Sequence, residues 1–368
     1  MTQTTVNPGE RAGHAMVYDP HNDVVVLFGG YSFEGGYHSL SDTWLYTYES
    51  SNWTELSTTP SPSSRSNLGM VYANATNEII LYGGGQATDT WSFDCQTQTW
   101  SEVETDANPG VHYSHAMAYD SQNNAVILYG GFGAGGELAG DIWKFDVSSR
   151  EWTELQPSTM PLDRYGHVMT YDETIAQIVM CCGNTAFQGH QDDTWTFDVS
   201  SDTWTRITTM GNPDRLKWPS MVYDPVNHKS ILFGGQVGDT SVDGTWIFDA
   251  QSSSWTDPGP DSSPRGRINT GLAFVPAFEI VVLYGGMGTD YGGTFNDTWA
   301  YSYENNTWTD LSEIDTTTTH TDTTTTTNTT TTTGAPPPEF PLGVLMIPAA
   351  VIVVGSLAYL IRLRSLRQ

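Results

Sequence analysis

Short apolar runs separated by polar turns repeat along most of the chain. Residues 14–19 are His-Ala-Met-Val-Tyr-Asp, and residues 24–28 are Val-Val-Val-Leu-Phe. The segment between them, Pro-His-Asn-Asp, has the composition of a tight turn. A five-residue run that is apolar at every position is typical of a strand buried on both faces. The pattern therefore predicts antiparallel strands, and it lacks the periodicity of a helix.

Glycine pairs and tryptophan pairs mark a long internal repeat. Successive glycine pairs start 54, 47, 52, 52 and 51 residues apart. The pairs are Gly29-Gly30, Gly83-Gly84, Gly130-Gly131, the degenerate Cys182-Gly183, Gly234-Gly235 and Gly285-Gly286. Two tryptophans nine residues apart follow each pair: Trp44 and Trp53, Trp91 and Trp100, Trp143 and Trp152, Trp195 and Trp204, Trp246 and Trp255, Trp299 and Trp308. The chain therefore contains six units of about 50 residues.

Each unit is predicted to form one four-stranded antiparallel sheet. One such sheet cannot bury both of its faces, whereas six sheets arranged radially cover one another and leave only short edges. The fold prediction is an all-β, six-bladed propeller. Its domain spans residues 1–314, with units at about 8–57, 58–104, 105–156, 157–208, 209–259 and 260–312. Because an indole buries a large apolar area between sheets, all twelve repeated tryptophans are interpreted as structural.

The repeat resembles the kelch motif, in which four apolar residues precede Gly-Gly and a Trp-Thr-Glu-Leu segment ends the unit. The third unit shows it clearly, with Val126–Gly131, Asp141–Asp146 and Trp152–Leu155. The resemblance covers about residues 8–312 and implies the propeller fold. It leaves function open, because kelch propellers include protein-binding domains, glycan-related enzymes and copper oxidases. Two departures are Cys182 in unit four and Gly244, where the other units have Asp.

The way in which the ring closes has two possible explanations from the sequence. Many propellers complete one blade with strands from both termini. Here the first unit begins with its first strand and the last ends with its fourth. Either six complete blades close by packing alone, or the N-terminus lacks some sequence.

Charge and cysteine content exclude some functions. The chain has 14 Lys and Arg against 42 Asp and Glu, for a formal net charge of −28. Binding to nucleic acid depends on clustered basic residues, so no nucleic-acid partner is predicted. The cysteines are Cys95, Cys181 and Cys182, an odd number without metal-binding spacing. They are interpreted as small buried residues.

The C-terminal region predicts membrane attachment. Residues 316–333 contain 15 Thr in 18 positions, so residues 315–339, which end in a Pro-rich segment, are predicted to be a disordered stalk. Residues 340–361 carry no charge and are long enough for one transmembrane helix in the lipid bilayer. The short tail 362–368 contains three Arg, which predicts a cytoplasmic C-terminus and an extracellular propeller.

An extracellular propeller has further expected features. Asn-x-Ser/Thr sequons at Asn52, Asn74, Asn305 and Asn328 fit a glycoprotein. Export needs a signal sequence, which residues 1–10 do not show, so we expect the true start to lie upstream of Met1. An acidic ectodomain, a Thr-rich stalk and a C-terminal anchor resemble archaeal cell-surface proteins.

The candidate ligand site is one mouth of the central channel, which in kelch domains is lined by residues that enter the first strand of each blade and by the loop after Gly-Gly. In this chain those loops begin at Tyr31, Gln86, Phe132, Asn184, Gln236 and Met287. By this resemblance the site residues are Arg11, His14, Arg65, His112, His115, Arg164, His167, Arg215, Trp218 and Arg267. Six of the eight Arg before residue 314 precede first strands, since Arg265 belongs to this group. A ring of guanidinium groups would favour an anionic group on a ligand. Alternatively, residues that recur with each blade are structural, with each Arg bound to a turn carboxylate of its neighbour.

No enzyme is indicated clearly. A zinc site from the repeated His residues, a copper-radical site and a carboxylate pair that cleaves glycans are the three candidates, and the sequence supports none of them. The repeated Asp residues are assigned to turns. We therefore predict no catalytic residue, metal ion or cofactor. The expected function is a cell-surface module that binds a glycan or a protein. The alternatives are an exported enzyme acting on a sugar and a structural protein of the cell envelope.

Overall fold

The computed structural model describes residues 7–290 and 292–312. The predicted stalk, transmembrane helix and cytoplasmic tail lie outside the described residues. Within the described ranges, no helix has the length and hydropathy needed to cross a membrane.

The described residues form 31 strands, most of them five residues long. Blade 1 contains β1 (Ala15–Asp19), β2 (Val24–Phe28), β3 (Tyr31–Ser32), β4 (His38–Ser39), β5 (Thr43–Thr47) and β6 (Asn52–Leu56). Blade 2 contains β7 (Gly69–Ala73), β8 (Glu78–Tyr82), β9 (Thr90–Asp94) and β10 (Thr99–Val103). Blade 3 contains β11 (Ala116–Asp120), β12 (Ala125–Tyr129), β13 (Ile142–Asp146) and β14 (Glu151–Leu155).

The second half of the ring follows the same plan. Blade 4 contains β15 (Arg164–Asp172), β16 (Gln177–Thr185), β17 (Gly189–His190), β18 (Thr194–Asp198) and β19 (Thr203–Ile207). Blade 5 contains β20 (Ser220–Asp224), β21 (Lys229–Phe233), β22 (Gln236–Val237), β23 (Thr240–Ser241), β24 (Thr245–Asp249) and β25 (Ser254–Thr256). Blade 6 contains β26 (Gly271–Val275), β27 (Ile280–Tyr284), β28 (Met287–Gly288), β29 (Gly293–Thr294), β30 (Thr298–Ser302) and β31 (Thr307–Asp310).

Every blade is an antiparallel sheet whose four main strands pair in chain order. The first strand of each blade lies beside the first strands of its two neighbours, and β1 lies beside β26. The Gly-Gly loops and the connections between blades share one end of the ring, which we call the loop face. The tight turns share the other end. The predicted all-β propeller of six four-stranded blades is confirmed.

Apolar cores between neighbouring blades hold the ring together. Each of the six clusters of buried residues combines side chains from two adjacent blades. The cluster between blades 6 and 1 contains Val25 and Leu27 from β2 with Val282 and Tyr284 from β27. The last interface is therefore built like the other five.

A closed ring of backbone hydrogen bonds surrounds the channel at the loop face. In each blade, one residue at the beginning of the inner strand donates its N–H to the carbonyl of its equivalent in the preceding blade, at 2.7–3.2 Å. This residue lies two positions before the first strand in five blades and within β15 in blade 4. These residues are Gly13, Asn67, Ser114, Gly166, Trp218 and Asn269, and all have a left-handed backbone with φ of 52–63°. Because Gly13 bonds to Asn269, six complete blades close without sharing a strand.

The second tryptophan of each pair links neighbouring blades, as a structural role requires. In five blades its indole N–H donates to a threonine Oγ1 in the preceding blade, as Trp255 does to Thr194 at 3.0 Å. Blade 3 has Ile142 at the position of that threonine, and the indole N–H of Trp204 has no partner among the described residues. The repeat is therefore regular in shape but not in every bond.

Candidate functional site

Four of the predicted site residues are arginines locked inside blades. Arg11, Arg65, Arg164 and Arg267 are at most 2% exposed. Each forms an ion pair with the Asp that precedes the first tryptophan of its own blade, at 2.5–2.8 Å. The Nη1 group of each arginine also donates a hydrogen bond of 2.8–3.3 Å to a backbone carbonyl in the Gly-Gly turn of its blade. The acceptors are Gly29, Gly83, Cys182 and Gly285.

The same arginine backbone joins two blades. The carbonyl of Arg65 accepts a hydrogen bond from Gly30 of blade 1 at 2.9 Å, and the carbonyl of Arg11 accepts one from Gly286 of blade 6 at 2.8 Å. Each of these arginines therefore stabilises its own blade through its side chain and the next interface through its backbone. Their guanidinium groups already hold carboxylates, so the structure does not bring them together as an anion-binding ring at the mouth. The carboxylate partner belongs to the same blade and not to its neighbour.

Blades 3 and 5 have other residues in place of the Arg–Asp ion pair. His112 stands at the arginine position of blade 3 and its Nε2 lies 3.1 Å from Asp141. In blade 5 the buried Leu216 stands at the arginine position, and Gly244 replaces the Asp. Arg215 is one residue out of register: its side chain is 65% exposed and lies 3.6 Å from Asp192.

Three of the predicted site residues are neutral histidines that pack between blades. His14 and His115 directly precede their first strands, and His167 lies within β15. The three rings meet the edges of Tyr284, Tyr82 and Tyr129 of the preceding blades, at centroid distances of 5.4–6.3 Å. Burial, followed by the nearby Arg11, lowers the pKa of His14 to about 3. Burial likewise lowers the pKa of His167 to about 3 and that of His115 well below its ordinary value. These rings therefore carry no charge at neutral pH.

The channel itself is narrow and offers no charged group among the described residues. Its cavity of about 200 Å³ is lined by four consecutive residues at the beginning of each first strand, such as Gly13, His14, Ala15 and Met16 in blade 1, and these residues include the three histidines. Five methionines and Leu272 occupy equivalent positions around the wall: Met16, Met70, Met117, Met169 and Met221. A large ligand is therefore expected to contact the mouth and not the interior.

An arc of aromatic side chains in mutual contact runs along the mouth across blades 3, 4 and 5. We call these four half-buried residues, Tyr113, Phe132, Tyr165 and Trp218, the aromatic crescent. Centroids of successive rings lie 5.2 Å, 4.3 Å and 5.6 Å apart. At one end, the Lys217 ammonium lies 4.6 Å from the centroid of the Trp218 ring. Asn184 donates a hydrogen bond of 3.1 Å to the Tyr165 hydroxyl.

Trp218 is the most unusual member of the crescent. It is the blade 5 member of the closed ring of backbone hydrogen bonds around the channel. Its backbone is left-handed, with φ 57°, and the other blades have Gly, Asn or Ser at this position. A large side chain is rare in this conformation and is strained there. Its indole covers Gly166, whose missing Cβ would lie 2.5 Å from the Trp218 Cδ1 atom. Its Nε1 has no hydrogen-bond partner among the described residues. Trp218 is thus the one predicted site residue in the described ranges with a left-handed backbone, and its unpartnered Nε1 is buried against Gly166.

Blade 1 carries a second aromatic group on the loop face. Tyr31, Phe33 and Tyr37 contact one another at centroid distances of 5.7–5.9 Å, on the loop that holds β3 and β4. Phe33 is 42% exposed and Tyr37 is 59% exposed. Blades 1 and 4 lie opposite each other in a ring of six, so aromatic side chains stand on both sides of the mouth. Tyr291 of the blade 6 loop lies outside the described residues.

Several carboxyl groups in the described part of the chain have a lowered pKa. Burial alone would raise the pKa of Asp42, Asp89 and Asp193, but bonds and charge from their arginines outweigh it, so these pKa values are lowered. Every Asp or Glu with a resolved pKa shift in residues 7–290 and 292–312 is shifted downward. The repeated Asp residues after first strands cap turns, as Asp19 does for His21. No group of three or more His, Cys, Asp or Glu in the described ranges is arranged to hold a metal ion.

Sequence reasoning identified part of the crescent and missed the rest. Trp218 and Phe132 follow from their positions in the repeat. Tyr113, Tyr165 and Lys217 are absent from the predicted site residues. A usable signal exists: aromatic residues occupy the position directly after the repeated arginine position in blades 3 and 4, where blades 1 and 2 have Ala12 and Ser66.

Comparison with known proteins identifies the family. The model of the KLHDC2/KLHL20/DRC7 kelch-repeats domain matches residues 1–171, 72–224 and 158–331. Kelch domain-containing protein 10 of Xenopus tropicalis is 26% identical over 126 residues, which are 32% of this chain and 30% of that protein. Kelch domain-containing protein 3 of Rattus norvegicus is 26% identical over 185 residues, 45% of this chain and 46% of that protein. The matched region thus covers less than half of each relative, while the family model covers most of the chain, which therefore belongs to the kelch-repeat family.

Proposed function

We propose that the protein is a recognition module that binds a segment of another protein at its loop face, against the aromatic crescent. Kelch-repeat propellers are generally protein-interaction modules. The observation that carries the proposal for this site is Trp218, a bulky residue held in a strained backbone at the channel mouth. Strain of this kind is expected where the gain lies in function, because Asn or Gly would fit the position with less strain.

The chemistry of the mouth favours an apolar side chain on the partner. The four crescent rings are only half buried, so they retain apolar area that a ligand can cover. Tryptophan and tyrosine are enriched among the residues that dominate binding energy at interfaces. A polar group stands beside them: the Asn184 side-chain amide, which donates to the Tyr165 hydroxyl and can also bind the backbone of a peptide.

An acidic glycan fits this mouth less well than a protein segment. The guanidinium groups expected to attract it are bound to Asp42, Asp89, Asp193 and Asp297. A glycan-cleaving enzyme is also disfavoured, because a general acid needs a carboxyl whose pKa is raised, and the resolved pKa shifts go the other way.

Parallel selections on the purified full-length chain test the proposal. A displayed library of random peptides and an array of neutral and acidic glycans are probed with the wild-type chain and with Trp218→Asn. We expect peptides with aromatic or aliphatic anchors that the variant no longer retains. If the wild-type chain binds a glycan and the variant does not, the proposed protein ligand is wrong and the ligand is a sugar. Binding to neither, together with self-association in sedimentation, would favour an envelope-layer role and contradict the proposal.

The propeller is further proposed to be displayed outside the cell. Support comes from the sequence alone: the Thr-rich stalk at 315–339, the uncharged span at 340–361 and the basic tail at 362–368. On intact cells, a membrane-impermeant biotin reagent is expected to label lysines of the propeller, while an epitope added at the C-terminus stays protected until the cells are permeabilised. Protection of the propeller in intact cells would contradict this arrangement.

A further inference from the structure

Blade 4 differs from the other blades at its Gly-Gly position. Cys182 takes the place of the first glycine and keeps the same left-handed backbone, with φ 69°. The five glycines at this position have φ of 62–71°. A residue with a Cβ is disfavoured in this conformation, whereas glycine adopts it freely. The chain therefore maintains a strained cysteine where five equivalent positions use glycine.

The strained residue has a second thiol as its neighbour. The Sγ atoms of Cys181 and Cys182 lie 3.1 Å apart, and both side chains are 0% exposed. They belong to the core between blades 4 and 5, together with Leu216. The third cysteine, Cys95, is buried in the core between blades 1 and 2. The two adjacent thiols are therefore paired in space and separated from the third by the fold.

We propose that Cys181 and Cys182 form a disulfide bond with each other by thiol–disulfide exchange with an oxidant disulfide. One cysteine thiolate attacks the oxidant disulfide, forms a mixed disulfide with one of its sulfur atoms and releases the other as a thiol. The second cysteine thiolate then attacks the protein sulfur of the mixed disulfide and displaces the remaining oxidant sulfur as a second thiol. The two cysteines lose two protons and two electrons in total, and the oxidant disulfide is reduced to two thiol groups.

The folded core controls when this reaction occurs. Burial, followed by the hydrogen bond with Cys182, raises the pKa of the Cys181 thiol well above its ordinary value. A thiolate is the reactive form, so the packed pair exchanges slowly. The bond is therefore expected to form before blade 4 packs against blade 5, while the chain folds. This timing rests on the proposed display outside the cell, which would supply an oxidising compartment.

A bond between adjacent residues is also expected to be easily reduced. Neighbouring Cα atoms across a trans peptide are about 3.8 Å apart, below the usual separation of about 4.4–6.8 Å in disulfides. Strained disulfides have more oxidising potentials and are the labile ones. The pair is tied to its surroundings by the backbone: Cys182 O accepts a bond of 3.0 Å from Arg164, and Gly183 N donates one of 2.8 Å to the carbonyl of Leu216.

Refolding under two redox conditions tests the proposal on the full-length chain. One sample refolds from denaturant in a glutathione redox buffer and the other in dithiothreitol. Each is then unfolded without reductant, and its thiols are titrated. We expect one free thiol, Cys95, after oxidative refolding and three after reductive refolding. Mass spectrometry should show the loss of two hydrogen atoms within one peptide that contains both cysteines.

Matched variants separate this pair from other sources of thiol loss. Cys182→Gly, which restores the residue of the other five blades, is expected to fold and to keep two free thiols under both conditions. Cys181→Ala provides the same test if that variant does not fold. Cys95→Ser should still lose both remaining thiols on oxidation.

Three results would overturn the proposal. The first is three free thiols in an oxidatively refolded chain that has regained its native tryptophan fluorescence. The second is a disulfide that includes Cys95. The third is an oxidised Cys181–Cys182 pair found only in chains that fail to regain that fluorescence, because the bond would then be incompatible with blade 4.

Discussion

Blades 1, 2 and 6 differ from blades 3, 4 and 5 in how faithfully they keep the repeat. The first three retain the Arg–Asp pair, the Gly-Gly turn and the threonine that accepts from a tryptophan. Blade 3 has His112 and Ile142 at two of these positions, blade 4 has Cys182, and blade 5 has Leu216 and Gly244. The aromatic crescent lies on these same three blades. Repeated residues thus identify the scaffold, and departures from the repeat identify the candidate site.

The largest expected effect comes from breaking the Arg–Asp ion pair in blade 6, one of the three regular blades 1, 2 and 6. Arg267→Ala should lower the free energy of unfolding by about 3 kcal/mol, because Asp297 and the Gly285 carbonyl lose a fully buried partner. Arg215→Ala in blade 5 is the matched control, and its 65% exposed side chain should matter by less than about 0.5 kcal/mol. Urea unfolding measures both. Equal losses in the free energy of unfolding for the two variants would contradict the structural role assigned to Arg267.

The buried histidines should make the ring sensitive to acid. Their pKa is lower in the folded chain, so the unfolded chain binds protons first and stability falls as the pH decreases from about 6.5 towards 3. At pH 5 the loss should be about 2 kcal/mol for each of His14 and His167. His167→Leu, which copies Leu68 of blade 2, should remove its share of the difference in stability between about pH 7.5 and about pH 5. His38 is exposed, so His38→Leu is the control variant and should leave this difference in stability unchanged.

Restoring the missing pair in blade 5 tests whether the irregular half is built on the same frame. Leu216→Arg alone should destabilise the chain, because it buries an unpaired charge. Gly244→Asp places a carboxylate beside the Trp246 Nε1, which lies 3.3 Å from the missing Cβ of Gly244. Together the two changes should show a favourable coupling of about 1.5 kcal/mol in a double-mutant cycle. A coupling of zero would mean that blade 5 no longer has the geometry of the pair.

The smallest expected effect concerns one indole N–H. Ile142→Thr and Ile142→Val have the same shape, but only threonine offers an acceptor to the Trp204 Nε1, which has no partner among the described residues. The threonine variant should therefore be more stable than the valine variant by about 1 kcal/mol. Conversely, Thr194→Val should cost about the same amount by removing the acceptor of Trp255. A valine variant as stable as its threonine counterpart would contradict this assignment.

The fold could be predicted from the sequence because glycine turns and paired tryptophans recur at fixed spacing, and such periodicity constrains every blade alike. The side-chain roles could not be predicted to the same depth. Arg164 and Asp193 are 29 residues apart, and only the folded blade shows that they bind each other. Arg215 lies one residue before the arginine position of blade 5, which Leu216 occupies, and this difference can be seen only when the strand register is known. Likewise, Tyr113, Tyr165 and Trp218 become one surface only when three blades are placed side by side.

The central claim is that the irregular half carries the binding site, and Trp218→Asn tests it most directly. Asparagine occupies the same left-handed position in blades 2 and 6, at Asn67 and Asn269. Stability and affinity for a peptide selected on the wild-type chain are measured on the same preparations. We predict a free energy of unfolding equal to or above that of the wild type, with affinity about thirtyfold weaker. Unchanged affinity in a folded variant, or a loss of affinity explained by unfolding, would contradict the account.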